Sequence, residues 1–289
     1  MCATCGCGST TGADGAVITL AGEPRPHDHP HPHDHPHPHD HPHPHDHAHP
    51  HGSLETVTLE QKVLHKNDLI AEQNRHRLAE LEVIALNMTS SPGAGKTTLL
   101  ERTVRDLSPA RAVTVIEGDQ ETVLDAERIH AAGARAVQVN TGAGCHLDAD
   151  MVRRALDALN PDPGSLLFIE NVGNLVCPAL FDLGEHSKVV IISVTEGVDK
   201  PRKYPHMFAA ADLVVLNKID LLPHVDFDVD QFAAHTRAVN PDVVLLPLSA
   251  TRGDGLDEWY AWIDATAPGV SFTRSSEKRR AVDKRLSPE

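Results

Sequence analysis

The chain has 289 residues, 40% of them hydrophobic and 23% charged, with a formal net charge of −15 when the histidines are neutral. So acidic a balance excludes a general nucleic-acid binder, which needs a basic surface against phosphates. The longest apolar runs, such as 189–194, fall far short of a membrane span. The opening MCATCGCGST has neither the basic nor the apolar region of an export signal, so a cytoplasmic protein is expected. In that compartment the five cysteines, Cys2, Cys5, Cys7, Cys145 and Cys177, read as metal ligands rather than disulfides.

Residues 1–8 place Cys2, Cys5 and Cys7 within six positions, spaced by Gly6 and Gly8, on a segment too short for a core. Their expected use is to converge on one soft or borderline metal ion, with the nearby terminal amine a candidate fourth donor. A planar arrangement would favour Ni²⁺ and a tetrahedral one Zn²⁺, and the spacing does not choose. Residues 9–52 read as a disordered linker, Gly/Ala/Thr-rich at 9–26 and then built on a six-residue repeat, His-Asp-His-Pro-His-Pro. The repeat carries His27, His29, His31, His33, His35, His37, His39, His41, His43, His45, His47, His49 and His51. Its prolines forbid helix and sheet ladders, and closely spaced imidazoles on an extended chain suit several weakly held, exchangeable Ni²⁺, Zn²⁺ or Cu²⁺ ions. Storage or buffering fits this tract better than catalysis.

Residues 53–82 form a helical lead-in of one or two amphipathic helices, with Leu59, Val63, Leu64, Ile70, Leu78 and Leu81 at roughly helical spacing. His65 and His76 read there as ordinary surface side chains.

Residues 83–269 alternate strand and helix. An apolar strand over 83–88 runs through Ser-Ser-Pro-Gly-Ala-Gly into a helix opening Lys96-Thr97-Thr98. That is the strand–loop–helix context of a phosphate-binding loop. Gly93, Ala94 and Gly95 keep the loop slim, so that backbone N–H groups and the helix N-terminus face an anion. Lys96 would reach the β- and γ-phosphates, and the Thr97 hydroxyl would ligate Mg²⁺. Ser90 stands where the general motif has glycine.

A strand over 112–116 ends in Glu-Gly-Asp-Gln-Glu-Thr, whose Asp119 can serve Mg²⁺ or the attacking water, with Glu117 and Glu121 as rivals. After a strand over 135–139 and a helix over 148–159, the apolar strand 165–169 ends in Glu170-Asn171-Val172-Gly173-Asn174. This occupies the place of the GTPase Asp-x-x-Gly signature. Glu170 would bear on Mg²⁺, directly or through water, and the Gly173 N–H would sense the γ-phosphate. Asn174 replaces the water-orienting Gln of Ras-like enzymes, so intrinsic hydrolysis should be slow. A strand over 188–194 leads to Thr-Glu-Gly-Val-Asp-Lys-Pro, a switch or interface loop.

The strand 212–216 then delivers Asn217-Lys218-Ile219-Asp220. Asp220 can accept from guanine N1–H and the 2-amino group, which adenine lacks. The Lys218 stem lies along the base, and Asn217 braces the loops. Ser249-Ala250, after a strand over 243–248, resembles the loop whose backbone touches guanine. Cys145-His146 and Cys177 both follow strand ends at the nucleotide-facing edge, and two Cys and one His make an open metal site that two subunits could share. Residues 270–289 read as a solvated basic tail. The expected fold is α/β, a P-loop NTPase with a mostly parallel central sheet flanked by helices.

Together, C-x-x-C-G-C at residues 2–7, the His-rich linker, S-S-P-G-A-G-K-T-T, E-G-D-Q-E-T, E-N-V-G-N-L-V-C-P, V-T-E-G-x-D-K-P and N-K-x-D resemble the hydrogenase nickel-incorporation GTPases of the HypB family. The likeness covers the first eight residues and about 84–262, and within it Ser90 and Glu170 are ordinary. The resemblance implies a SIMIBI-type GTPase that binds Ni²⁺ and delivers it to the large subunit of [NiFe]-hydrogenase during active-site maturation. It also implies a zinc-containing accessory protein as partner and a homodimer responsive to GTP. Cys145, His146 and Cys177 match the family's interface metal site, for Ni²⁺ or Zn²⁺, and Cys2, Cys5 and Cys7 its N-terminal nickel motif. One alternative is the related urease nickel-insertion GTPase, against which C-x-x-C-G-C and E-N-V-G-N argue. Another is a nickel store with nucleotide binding secondary.

Overall fold

Long apolar runs such as IALNMTS, LLFIE, SKVVIIS and LVVLN are buried along their whole length. Strands buried on both faces belong to a parallel sheet covered by helices. In the computed structural model the described residues are 17–20, 53–119, 124–142 and 144–266. Cys2, Cys5, Cys7, the histidine tract and the 270–289 tail lie outside them.

In chain order the elements are β1 (Val17–Leu20), α1 (Ser53–Glu80), β2 (Ile84–Ser90), α2 (Lys96–Leu107), β3 (Val113–Asp119) and α3 (Leu124–Ala131). Next come β4 (Arg135–Asn140), α4 (Ala149–Leu159), β5 (Leu166–Glu170), α5 (Cys177–Leu180), β6 (Ser187–Ser193), α6 (Lys200–Lys203) and α7 (Pro205–Ala210). The domain closes with β7 (Leu213–Asn217), a 3-10 turn (Ile219–His224), α8 (Val229–Val239), β8 (Val244–Pro247) and α9 (Leu256–Ala265). The strands form one sheet in the order β1-β4-β3-β5-β2-β6-β7-β8, with β2 to β8 parallel and β1 antiparallel at the edge. The expected P-loop NTPase architecture is present, and β2 lies at its centre.

Side chains alternate between two covered faces. On one, Leu86, Met88, Phe168, Val189 and Val215 pack against Leu99 and Val104 of α2 and Trp259 and Ile263 of α9. On the other, Ala85, Ile116, Val139, Leu167 and Ile169 pack against Val152, Leu156 and Leu159 of α4, while Val190, Ile192 and Leu216 meet Met207, Phe208 and Phe232.

Two findings go beyond the sequence reading. The run V-I-T-L, taken with the 9–26 linker, is a strand whose Val17 pairs opposite Asn140 and Leu20 opposite Val137. Four β-prone residues are too few for a periodic signal, yet they suffice to cover the open edge of β4. The lead-in is one helix, α1, and it is pinned through buried amides rather than by an apolar stripe alone. Asn67 accepts from the Ala149 N–H and donates to the Asp182 carbonyl. Asn74 donates to the carbonyls of Ala149 and Leu183. Gly184 has φ +87° and sits so close that a Cβ there would meet the Ala71 carbonyl oxygen at 2.5 Å. Among the described residues no helix is long and apolar enough to cross a membrane.

Gly184→Ala should therefore destabilise the fold by at least about 2 kcal/mol, adding a backbone clash to the left-handed penalty. Thermal denaturation would register this as a fall of roughly 4 to 8 °C or more.

Candidate functional site

The loop at 91–95 turns the chain from β2 into α2. Gly95, at φ +93°, is the N-cap, and neither a capping side chain nor a first-turn acid occupies the end of α2. The first N–H groups of the helix therefore point at the loop interior, where an anion would satisfy them. A Cβ on Gly95 would meet Asn217 Nδ2 at 2.5 Å, which fixes glycine there. Lys96 Nζ donates to Glu170 Oε1 at 2.9 Å and to the Asn171 carbonyl oxygen. The Thr97 hydroxyl donates to the same Glu170 Oε1 at 2.6 Å. Glu170 is buried, and its Oε2 has no hydrogen-bond partner among the described residues. Gly173 packs over the loop, its missing Cβ position 3.3 Å from Pro92 Cγ. Asp119 closes β3, two residues beyond the Glu117–Glu170 register pair, at the same edge. Its side chain, like Glu121, lies outside what is described.

The loops that follow β7 and β8 close around Asn217, which is 1% exposed. Its Nδ2 donates to the Ala94 carbonyl at 2.9 Å, and its Oδ1 accepts from the Lys218 and Ala250 N–H groups. One amide thus ties the phosphate loop to the loops that follow β7 and β8. Lys218, with a left-handed backbone at φ 63°, sends Nζ back to the Gly93 carbonyl at 2.7 Å. Asp220 Oδ1 accepts from the Ser249 hydroxyl at 2.5 Å. Ser249 therefore holds the carboxylate by its side chain, in addition to the backbone part expected of it.

The third constellation lies at the same sheet edge. Cys145 Sγ is 2.9 Å from Cys177 Sγ and 3.6 Å from His146 Nδ1, and all three donor atoms fall within 4.8 Å of one another. Neither cysteine is in a disulfide. The His146 ring lies against Phe181, centroids 4.0 Å apart. Burial lowers its pKa, opposed in part by Asp148, which favours the neutral imidazole that ligates metals. Two sulfurs and one nitrogen suit Ni²⁺ or Zn²⁺ with a position left for another donor.

The nucleotide-binding domain model of the CobW/HypB/UreG family matches residues 84–247. The hydrogenase maturation factor HypB of Azotobacter chroococcum is 60% identical over 208 residues, covering 72% of this chain and 68% of that protein. The chain belongs to the HypB family. The Escherichia coli K12 member is 56% identical over 206 residues, covering 71% of each chain. Among solved structures, HypB from Archaeoglobus fulgidus shares 39% identity at a TM-score of 0.65, covering 69% of this chain and 98% of its own. HypB from Helicobacter pylori, solved in complex with nickel, shares 35% at 0.66, covering 71% and 99%.

The residues that join phosphate loop and thiol cluster escaped the sequence reading. Asn171, 1% exposed, offers its carbonyl to Lys96 while its Oδ1 accepts from the Leu147 N–H at 3.1 Å, one residue past His146. Asn174 donates to the Cys145 carbonyl at 3.3 Å and accepts from the Val176 N–H, one residue before Cys177. The signal was present as two asparagines flanking Gly173, but amides at a strand end have too many ordinary uses to single out.

Asn217→Ala should strand the Ala250 N–H and the Ala94 carbonyl in the interior. We expect a loss of roughly 2 to 4 kcal/mol in urea unfolding of the nucleotide-free protein, from two unsatisfied buried groups.

Proposed function

We propose that this chain is a GTP-hydrolysing nickel metallochaperone that binds Ni²⁺ and delivers it to the large subunit of [NiFe]-hydrogenase. It would act as a nucleotide-responsive homodimer with a zinc-containing accessory protein as partner. The observation that carries the reading is that one short turn, 170–177, holds Glu170, Asn171, Asn174 and Cys177, and so touches both the phosphate-loop lysine and both halves of the thiol cluster. The solved nickel complex of the Helicobacter pylori relative supports the cargo assigned here.

Asp220, fixed by Ser249, presents a carboxylate to the guanine N1–H and 2-amino group. The N–H groups at the start of α2 and the Lys96 ammonium hold the β- and γ-phosphates. The Thr97 hydroxyl and the buried, half-satisfied Glu170 carboxylate are hard oxygen donors that fit Mg²⁺, with Asp119 a further candidate ligand. An Mg²⁺ held by these residues would supply neutralisation of the charge that develops on the phosphate oxygens. Water attacks the γ-phosphorus, the bond to the β-phosphate oxygen breaks, and GDP and phosphate leave. Asn174 is tied to Cys145 and Val176, so no water-orienting side chain comes from that position and turnover is slow.

Coupling follows from competition for Lys96. A phosphate draws the ammonium from the Asn171 carbonyl, which frees the turn that braces the Cys145–Leu147 loop. Two subunits closing over GTP then bury a rearranged metal site, and hydrolysis reopens it. Nickel moves in one direction only if its affinity differs between the two nucleotide states.

The deciding experiment measures GTP turnover and oligomeric state of the full chain with and without equimolar Ni²⁺, against Cys145→Ala/Cys177→Ala. Nickel should alter turnover or GTP-dependent dimerisation only in the protein that keeps both thiols. Identical behaviour would separate the functions and favour a nickel store. Asp220→Asn should weaken GTP binding about 10- to 150-fold, the worth of a charged hydrogen-bonded acceptor. The same variant should prefer xanthosine triphosphate, whose 2-oxo group accepts from the new amide; competition binding reads both.

A further inference from the structure

Lys188 and Glu185 are among the most deeply buried charged groups described, with side chains 1% and 0% exposed and Nζ 3.8 Å from Oε1. Lys188 lies near the start of β6, its backbone N–H held by Asp212, and its Nζ donates to the Pro178 carbonyl oxygen at 2.7 Å. Glu185 keeps its place by accepting from the Leu183 N–H at 2.8 Å and from Asn87 Nδ2 at 3.4 Å. Asn87 Oδ1 in turn accepts from Asn171 Nδ2 at 3.4 Å.

The segment that receives this ammonium carries Cys177. Helix α5 is one four-residue turn with no side-chain cap, and its N-cap Val176 and its last residue Leu180 are 46% and 53% exposed. A turn so short has little local stability of its own. The Lys188–Pro178 bond fastens it to the sheet, one peptide from the thiol. An apolar pair of equal volume would fill this part of the core at least as well as a buried ion pair. What the ion pair adds is direction, because a charge-assisted bond fixes where the Pro178 carbonyl points.

We propose that Lys188, oriented by Glu185, is a positioning residue for Cys177, setting the geometry and affinity of the Cys145/His146/Cys177 metal cluster from behind the ligands. This rests on reading those three residues as a metal site. Groups placed one step behind metal ligands commonly govern affinity by about 10- to 100-fold.

The test uses the full chain with Cys2→Ser, Cys5→Ser and Cys7→Ser, which leaves Cys145 and Cys177 as its remaining thiols. Titration with Co²⁺ alone then reports thiolate-to-metal charge transfer from this cluster, and the histidine tract contributes no sulfur band. Lys188→Met/Glu185→Gln removes the charges together, so neither is left buried alone. We expect Co²⁺ affinity at the thiol cluster to fall about tenfold or more and the d–d bands to shift. A folded double variant with unaltered bands and affinity overturns the proposal. Should the double variant not fold, Glu185→Gln alone must still shift the bands, and an unshifted spectrum overturns it equally. If Cys145→Ala/Cys177→Ala in the same background leaves the sulfur band intact, or the background shows none, the metal-site reading itself falls and this role with it.

Discussion

Because strands β2 to β8 are parallel and covered on both faces, every one of them ends at the same edge, and the polar residues that cannot enter the apolar interior collect there. Gly95, Asp119, the Cys145–His146 loop, Glu170, Asn217 and Ser249 all follow from this. None is near another in sequence, and the sheet alone makes them neighbours. The tightest expression is Asn217, whose single buried amide spans the ends of β2, β7 and β8. The cradle is therefore preformed by backbone closure rather than assembled by long flexible side chains, which lowers the ordering cost of binding.

The apolar strands were legible because complete burial writes itself as unbroken runs of Val, Ile and Leu, and the observed ends lie within a few residues of those expected. Gly93 to Thr98 and Asn217 to Asp220 were legible because phosphate and base chemistry admits few residue types at fixed spacing. Three features were not. The strand Val17–Leu20 is held by partnership with β4, which no local pattern announces. The single helix α1 depends on Asn67 and Asn74 reaching residues far along the chain, and polar residues in a helix ordinarily signal its solvent face. Lys188 and Glu185 sit beside and within an apolar run where charge suggests an edge, yet both are interior. In each case the stabilising partner is distant in sequence, so the information lies in the fold.

A continuous set of buried polar contacts runs through the last of these, the Glu185–Lys188 pair. It passes from Lys96 to Asn171, from Asn171 to Asn87, from Asn87 to Glu185 and from Lys188 to the Pro178 carbonyl. Such networks are costly when broken and stiff when complete. Its two arms end beside His146, at Leu147, and beside Cys177, at Pro178. The thiol cluster is thus anchored to the sheet interior on both sides.

The edge strand β1 has a geometric consequence for the thiols at the far N-terminus. Val17 pairs with Asn140, the last residue of β4, so Val17 stands at the very edge of the sheet where the Cys145–His146 loop begins. Cys7 lies ten residues before Val17 in the chain, with nine residues between them. Even fully extended they span no more than about 36 Å. Whatever path residues 8–16 take, Cys7 therefore stays within that distance of the end of β1 that adjoins the Cys145–His146 loop.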